Sequence, residues 1–315
     1  MPFISVVTAC YNEEENVAEV CAQVRAVMES LPPRDGDPYT YEHLFIDNAS
    51  EDRTVEILRG ICVDDPRVKV IVNTRNFGHI RSPFHGLLQA QGDAVISIVA
   101  DLQDPPEMIR DFVAQWEAGY AIVAGVKKES LEKRSMFFLR SMFYRLIDRL
   151  SETPLIRNFT GFGLYDRKVM EKLREIDDPY PYFRGLICDL GYERIEIPYT
   201  QPTRRRGITK NNFYTLYDMA MLGITNHSKV PLRLAAMAGF ALAVLALLVA
   251  LAYVVIKLLF WRTFSLGLAP LVIGVYFFGA VQLFFIGIVG EYIGSIHTQV
   301  YHRPLVIERE RINFD

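Results

Sequence analysis

The chain has 315 residues, which is enough for one large globular domain and an additional segment. Hydrophobic residues make up 50% of it, and the mean hydropathy of +0.14 is high for a purely soluble enzyme. Because this excess lies in the last third of the chain, the composition predicts a soluble part followed by a membrane part. The formal net charge of −3 argues against nucleic-acid binding through bulk electrostatics.

The four cysteines form no Cys-x-x-Cys pair, and no histidine and cysteine cluster has zinc-ligand spacing. We therefore expect reduced cysteines in a cytosolic domain rather than disulfides. Residues 1–5 lack the basic region and the cleavage site of a signal peptide. The N-terminal domain is therefore expected to stay in the cytosol.

Short β-branched runs alternate with segments of helical periodicity in the N-terminal part of the chain. The predicted strands are 4–9, 43–47, 68–72, 94–100 and 121–125, and the predicted helices are 12–31, 54–62, one closing at 86–91 and one opening at Pro105-Pro106. This alternation predicts an α/β domain with a mainly parallel sheet flanked by helices. Ligands of such sheets bind at the carboxyl ends of the strands. Polar motifs follow these ends at Tyr11-Asn12-Glu13, Asp47-Asn48 and Asp101.

The fourth predicted strand ends at an oxygen-rich sequence, Asp101-Leu102-Gln103-Asp104. Carboxylates at a strand end can hold a divalent ion that stabilises the charge on a departing nucleoside diphosphate. The alternative is that one of these aspartates only caps the helix that Pro105 opens. Asp104 is the better placed cap, which leaves Asp101 as the better candidate for a metal ligand.

The loop 203–210 is a second candidate, because four cations surround its single glycine. Arginine guanidinium groups can bind phosphate through paired hydrogen bonds, and the ammonium group of a lysine can bind it through its charge. The alternative is a solvated loop that contacts lipid headgroups. Both interpretations hold if the bound phosphate belongs to a lipid.

Two uncharged runs, about 234–256 and 266–290, are each long enough to cross a hydrocarbon core about 30 Å thick. They predict a cytosolic domain of residues 1–229, a transmembrane hairpin of residues 230–295 and a cytosolic tail of residues 296–315. Residues 131–150 combine apolar and basic side chains, which favours a helix lying on the membrane over an ordinary surface helix. Residues 212–226 are a second candidate for such a helix.

Several motifs, taken in order, resemble family 2 glycosyltransferases of the dolichol-phosphate mannosyltransferase and bactoprenol glucosyltransferase type. They are Tyr11-Asn12-Glu13-Glu14-Glu15-Asn16, Phe45-Ile46-Asp47-Asn48-Ala49-Ser50, Arg75-Asn76-Phe77-Gly78-His79, Ala100-Asp101-Leu102-Gln103-Asp104-Pro105-Pro106, Gly207-Ile208-Thr209-Lys210, Gly290-Glu291-Tyr292-Ile293-Gly294 and Arg303-Pro304. Each motif is weak alone, but their order and the hairpin make the resemblance specific.

The resemblance implies a GT-A fold and an inverting transfer of a sugar, with a UDP-hexose favoured as donor, to polyprenyl (undecaprenyl) phosphate. A divalent metal, Mg²⁺ or Mn²⁺, would be the cofactor. The partners would be the nucleotide sugar, the lipid phosphate and the bilayer of the plasma membrane, and the assembly a homo-oligomer, with no nucleic acid.

The resemblance also assigns candidate residues. Those at the nucleoside would be Ala9, Tyr11 and Glu13, with Asp47 and Asn48 beside them. The metal ligands would be Asp101 and Gln103, and Lys127 stands where the family often has an arginine near the donor. The phosphate-binding residues would be Arg204 and Lys210, with Arg206 as a further candidate.

The chain departs from the family pattern in three places. Val99 replaces the first acid of the D-x-D motif, and Asp47-Asn48 replaces a pair of acids. Gly161 and Gly163 replace an acid and an arginine that are expected to line the sugar pocket. A transferase acting on a hydroxyl of a glycolipid or diacylglycerol would need a general base, which the loss at Gly161 disfavours. A non-catalytic membrane scaffold is the other alternative, and the loss at Val99 slightly favours it.

Overall fold

The computed structural model describes residues 1–34, 36–128, 156–202, 230–260, 268–301 and 303–314. The two candidate interfacial helices, 131–150 and 212–226, lie outside the described residues. The loop 203–210, with Arg204, Arg206 and Lys210, also lies outside them.

The described residues form strands and helices in an alternating order. The strands are β1 (Phe3–Cys10), β2 (Thr40–Asp47), β3 (Val68–Asn73), β4 (Ala94–Val99), β5 (Ile122–Lys127), β6 (Phe159–Asp166), β7 (Arg194–Tyr199) and β8 (Glu308–Ile312). The helices are α1 (Val17–Glu29), α2 (Thr54–Asp64), α3 (Gly78–Gln89), α4 (Ile109–Glu117, preceded by a 3₁₀ turn at Pro106–Met108), α5 (Arg167–Glu175), α6 (Phe183–Asp189), α7 (Val230–Leu259) and α8 (Leu268–Val300).

The eight strands form one sheet in the order β7-β5-β6-β4-β1-β2-β3-β8. Strands β4, β1, β2 and β3 are parallel, β6 is antiparallel to both β4 and β5, and β7 is parallel to β5. The carboxyl ends of β1, β2, β4, β5 and β7 therefore lie at one edge, together with the first residues of β6. The predicted mainly parallel α/β sheet followed by two long apolar helices is confirmed.

Helices cover both faces of the sheet because successive strand residues point in opposite directions. On β1, Val7 packs into a cluster with Phe84 and Leu87 of α3. Its neighbour Val6 packs on the other face, in the cluster that contains Val24 of α1. Strands β1 and β4 are mostly apolar and are largely buried on both faces, as is typical of central parallel strands.

The C-terminal residues belong to this sheet, which the sequence analysis did not foresee. Strand β8 pairs with β3 in the antiparallel direction. Thr74 N donates to Ile307 O at 2.9 Å, and the Asn313 amide donates to the carbonyls of Cys62 and Val68 at 2.7 and 3.0 Å. The end of the predicted tail is therefore part of the N-terminal domain.

Helices α7 and α8 contain 30 and 33 residues. At about 1.5 Å per residue they are roughly 45 and 50 Å long, longer than a bilayer core of about 30 Å. Both are apolar enough to cross a membrane, and none of their most apolar stretches is buried in the protein. Since β8 follows α8 and joins the same sheet as β1, a pair of membrane-spanning helices would leave the segments on either side of it on one side of the membrane.

The two helices predict opposite exposure of two introduced cysteines. Arg262→Cys lies between the helices, whereas Arg309→Cys lies in β8, where the arginine side chain is 54% exposed. An impermeant maleimide applied to intact cells should label Arg262→Cys, and Arg309→Cys only after the membrane is opened. The parent protein is the control, because its four cysteines are buried. Labelling of both variants from the same side would refute the hairpin.

Candidate functional site

Two turns that follow β1 and β2 are joined by hydrogen bonds. Asn12 has a left-handed backbone, with φ of 54°, and its N–H donates to Ser50 Oγ at 2.9 Å. Glu13 N donates to Thr54 Oγ1 at 2.9 Å, and Glu51 N donates to Asn12 Oδ1 at 2.8 Å. These bonds fix the residues after β1, so α1 begins only at Val17, later than the sequence pattern predicted.

Asp47 is 0% exposed at the carboxyl end of β2. Its carboxylate accepts hydrogen bonds from Ser50 N, at 2.9 Å, and from Ser50 Oγ. Burial raises the pKa of Asp47 and, together with this carboxylate, the pKa of the neighbouring Cys10 thiol. The structure thus places Asp47 inside the turn beside the predicted nucleoside residues Tyr11 and Glu13, as the group that shapes the turn.

Asn48 uses all four hydrogen-bonding positions of its side chain. Its amide donates to Asn76 Oδ1 at 2.8 Å and to Gly78 O at 3.2 Å. Its oxygen accepts from Phe77 N at 2.8 Å and from Asn73 Nδ2 at 3.2 Å. An aspartate could not donate these bonds, so the structure accounts for the asparagine at this position: it positions the segment 73–78.

The acidic corner after β4 separates the two aspartates. Asp101 is half-buried and its Oδ1 accepts from Gln103 N at 3.1 Å, across a left-handed Leu102 with φ of 58°. Asp104 is only 3% exposed and accepts from Tyr199 Oη at 2.9 Å. The helix that follows has no side-chain cap, so the alternative in which Asp104 caps it is wrong. Burial raises the pKa of Asp104 to about 6.

Lys127, at the carboxyl end of β5, lies beside this corner. Burial lowers the pKa of its ammonium group, while Asp104 and Asp101 oppose that shift. The structure therefore brings the predicted donor-site lysine and the predicted metal ligand Asp101 within electrostatic range of each other. Strand order explains this, because β4 and β5 run in the same direction on either side of β6.

Asp101 and Gln103 supply oxygen ligands of the kind that Mg²⁺ and Mn²⁺ prefer. Mg²⁺ is commonly held by one or two carboxylates together with the phosphates of a substrate. Within the described part of the chain, no group of three or more histidine, cysteine, aspartate or glutamate residues could hold a metal ion without such help. The residues therefore fit a divalent ion that enters with a diphosphate.

A pocket of about 180 Å³ opens next to the acidic corner, between the sheet, α3 and α6. Its wall is mostly apolar and includes Ala9 and Val99, whose side chain is 41% exposed. The polar groups at the pocket include His79 and Arg184. Ala9, which the sequence placed at the nucleoside, thus lines this pocket.

The two glycines of β6 occupy their positions for different structural reasons. Gly161 lines the pocket with φ of +100°, and a Cβ there would lie 3.4 Å from the ring of Phe183. At Gly163 a Cβ would lie 2.3 Å from Val123 O, so close strand pairing excludes any side chain. The expectation that both positions line a sugar pocket therefore fails for Gly163, which is a packing position.

Sequence reasoning assigned no role to His79 or Arg184. His79 belongs to a motif that carried the resemblance, and it follows the segment held by Asn48. Arg184 is in the first turn of α6, after the aromatic sequence Tyr180-Pro181-Tyr182-Phe183. Partial burial and the charge of Arg184 lower the pKa of His79.

The family model for "Glycosyl transferase family 2" matches residues 5–174. An uncharacterized glycosyltransferase of Bacillus subtilis, YkcC, is 35% identical over 306 residues, which cover 96% of this chain and 92% of that protein. A bactoprenol glucosyl transferase of Shigella phage SfV is 34% identical over 310 residues, which cover 98% and 99% of the two chains. Among solved structures, the mannosyltransferase PcManGT from Pyrobaculum calidifontis, in complex with GDP-Man and Mn²⁺, matches at 17% identity over 96% and 88% of the chains, with a TM-score of 0.47.

The buried carboxyl of Asp104 predicts a pH-dependent stability. Since its pKa is raised from 3.8 to about 6, the folded protein holds this proton more tightly than the unfolded chain does. The protonated carboxyl therefore contributes up to roughly 3 kcal/mol to the free energy of unfolding below about pH 4. This contribution is lost as the pH rises through 6. Asp104→Asn keeps an acceptor for Tyr199 and cannot ionise. Relative to the parent, its thermal midpoint should rise between pH 4 and pH 7.

The exposed Asp111→Asn is the matched control, and its difference from the parent should not change over this range. Differential scanning fluorimetry of the detergent-purified proteins measures both differences. A constant offset between Asp104→Asn and the parent from pH 4 to 7 would contradict the raised pKa.

Proposed function

Because the chain belongs to glycosyl transferase family 2, we propose that this glycosyltransferase moves a hexosyl group from a nucleoside diphosphate sugar, UDP-hexose favoured, to undecaprenyl phosphate. The reaction would occur at the cytosolic face of the plasma membrane. The observation that carries the proposal is the position of Asp101 and Lys127, at the binding edge of a sheet whose last strand follows a membrane-length helix. A water-soluble donor and a lipid acceptor can meet at such an edge.

The full-length likeness to a phage bactoprenol glucosyl transferase supports this acceptor. That match includes the region of α7 and α8, because it covers 98% of this chain. A soluble acceptor would give no reason for two apolar helices that no part of the described protein covers.

The donor would bind at the turns after β1, β2 and β4. Tyr11 and Glu13 would frame the nucleoside, on a turn that is bonded to Ser50 and Thr54, and Asp47 in turn holds Ser50. Asp101 and Gln103 would hold a divalent ion, which supplies positive charge to the departing diphosphate when it is bound. Lys127 would add a second positive charge near the donor.

The acceptor phosphate needs no general base. A phosphate monoester has its second pKa near about 6, so its oxygen is already anionic at neutral pH. It requires positioning by cations. We propose that Arg204 and Lys210, with Arg206 as a further candidate, bind phosphate of the donor or of the acceptor. The absence of an acid at Gly161 is then compatible with catalysis.

His79 gives the alternative hydroxyl acceptor some support. Its imidazole lines the pocket, and its lowered pKa makes it neutral at pH 7, as a general base must be. His79→Gln would abolish transfer to a glycolipid or diacylglycerol hydroxyl. A screen of radiolabelled nucleotide sugars with undecaprenyl phosphate, diacylglycerol and the purified protein decides between the acceptors. Binding of a nucleotide sugar without transfer to any of them would instead favour the non-catalytic scaffold.

Removing the charge of the proposed metal ligand should slow the reaction. Asp101→Asn keeps the size of the side chain, but it lowers the affinity for the divalent ion. The negative charge on the leaving group is then less stabilised. We expect a loss of kcat on the order of a hundredfold or more at saturating Mg²⁺ or Mn²⁺. Asp111→Asn, on the exposed face of α4, should keep the parent rate. Full activity of Asp101→Asn in excess chelator would remove the metal from the mechanism.

The basic loop should act on phosphate binding rather than on folding. Arg204→Ala and Lys210→Ala each remove a charge-assisted contact worth roughly 1.5–3 kcal/mol, or about ten- to a hundredfold in kcat/KM. Arg53→Ala is the control, because that arginine pairs with Glu56 on the surface. If both loop variants kept full activity at limiting donor and lipid, the loop would be only a headgroup contact.

A further inference from the structure

We propose that the acceptor lipid reaches the site along a row of four cations, Arg303, Arg81, Arg75 and Arg184, that begins where α8 ends. Arg184 and His79 would bind the phosphate of this lipid in the pocket between α3 and α6. The inference rests on the proposed function and names the residues that would receive its acceptor. The apolar wall of the pocket would hold the first isoprene units.

The row begins just after the end of α8. Tyr301 is exposed, and the guanidinium of Arg303 lies 4.5 Å from the centre of its ring. Arg81 of α3 donates to Pro304 O. Aromatic and basic side chains at the end of a membrane helix are typical of the headgroup layer. A lipid phosphate in that layer would meet Arg303 and Arg81 first.

The second part of the row surrounds Phe77. The guanidinium groups of Arg75 and Arg81 lie 4.1 and 5.4 Å from the centre of this ring. Burial lowers the pKa of Arg81, and the charges of Arg75 and Arg303 lower it further. Arg81 Nε is buried and has no hydrogen-bond partner among the described residues. Arg75, Arg81 and Arg303 therefore repel one another, and an anionic ligand that offsets this repulsion is favoured.

The pocket is the third part. Arg184 Nη1 donates to Phe159 O at 3.2 Å, which directs the side chain toward the start of β6. Its charge acts both on His79, within the pocket, and on Lys127, beside the acidic corner. Arg184 therefore lines the pocket and is within electrostatic range of Lys127, the lysine beside the acidic corner. A phosphate bound to it would be close to the donor.

The cations of the row have no acidic partner in the described part of the chain. No aspartate or glutamate among the described residues lies within 4.0 Å of the charged nitrogens of Arg75, Arg81, Arg184 or Arg303. The nearby Asp178 instead accepts from Gln299 of α8 at 2.9 Å. That bond fixes the end of the membrane helix to the segment that leads into the pocket rim at Tyr182.

The wall of the pocket selects among anions. Ile80, Phe84, Leu87 and Val99 contribute apolar surface, which is more extensive than the polar surface of the lining. A phosphate joined to a hydrocarbon chain fits both the cations and this wall. The ligand class is therefore a prenyl phosphate rather than a soluble anion.

The test measures KM for each substrate with the full-length enzyme in nanodiscs that contain undecaprenyl phosphate. Arg184→Gln should raise KM for the lipid phosphate by about ten- to a hundredfold. It should leave KM for the nucleotide sugar within about twofold, while Arg184→Lys should recover part of the loss. Arg174→Gln is the matched control, because Arg174 is also half-buried and donates to the carbonyls of Leu88 and Ala90, outside the row.

A short-chain prenyl phosphate in detergent separates the pocket from the route. The Arg184→Gln defect should persist with this acceptor, whereas an Arg81→Gln/Arg303→Gln double variant should be impaired only with the bilayer-bound lipid. Inorganic phosphate added as a competitor should inhibit weakly, because it cannot use the apolar wall.

The outcomes that would overturn the inference differ from those that would overturn the proposed function. If the parent makes no glycosylated lipid phosphate from any nucleotide sugar, both the proposed function and this inference are refuted. If the parent is active but Arg184→Gln behaves like Arg174→Gln, the inference alone fails. A raised KM for the nucleotide sugar in Arg184→Gln, with the lipid KM unchanged, would assign the pocket to the donor sugar instead.

Discussion

The side chain of Asn48 is the interaction on which the arrangement of the site depends. Its four hydrogen bonds fix the segment 73–78 against the end of β2, immediately after the buried Asp47. This segment carries Arg75 and leads directly into His79 at the start of α3. A single amide thus sets the distance between the turns expected to bind the donor and the residues proposed to receive the acceptor. Because an amide both donates and accepts, neither an aspartate nor an apolar residue could replace it.

Local packing and hydrogen bonding explain two of the departures from the family pattern. Gly163 has no room for a side chain, and Asn48 makes bonds that a carboxylate cannot make. Gly161 and Val99 remain as true losses of acidic groups at the pocket. Both losses make the pocket less negative, which suits an anionic acceptor and removes a general base that such an acceptor does not need.

Sequence patterns predicted the central strands and the two apolar helices because each of these elements is built mainly of apolar side chains, which the strands bury and the helices leave exposed. They could not predict β8, whose sequence Glu308–Ile312 is mostly charged and becomes a strand only because β3 offers an unpaired edge. Asp101 could be proposed as a candidate metal ligand from its place at a strand end. His79 and Arg184 could not be identified in this way, since they meet only through the packing of α3 and α6 around one pocket.

The pairing of β8 with β3 also has a mechanical consequence. The proposed transfer from a soluble donor to a lipid requires a catalytic edge at a fixed height above the headgroups, which a loose tail after α8 would not maintain. Here the chain passes from α8 into the sheet within a few residues, and His85 and Arg311 both pair with Glu308 at the start of β8. Because His85 lies on α3, the helix that also carries His79 and Arg81, the contacts that join β8 to α3 also hold the residues that are proposed to receive the lipid phosphate.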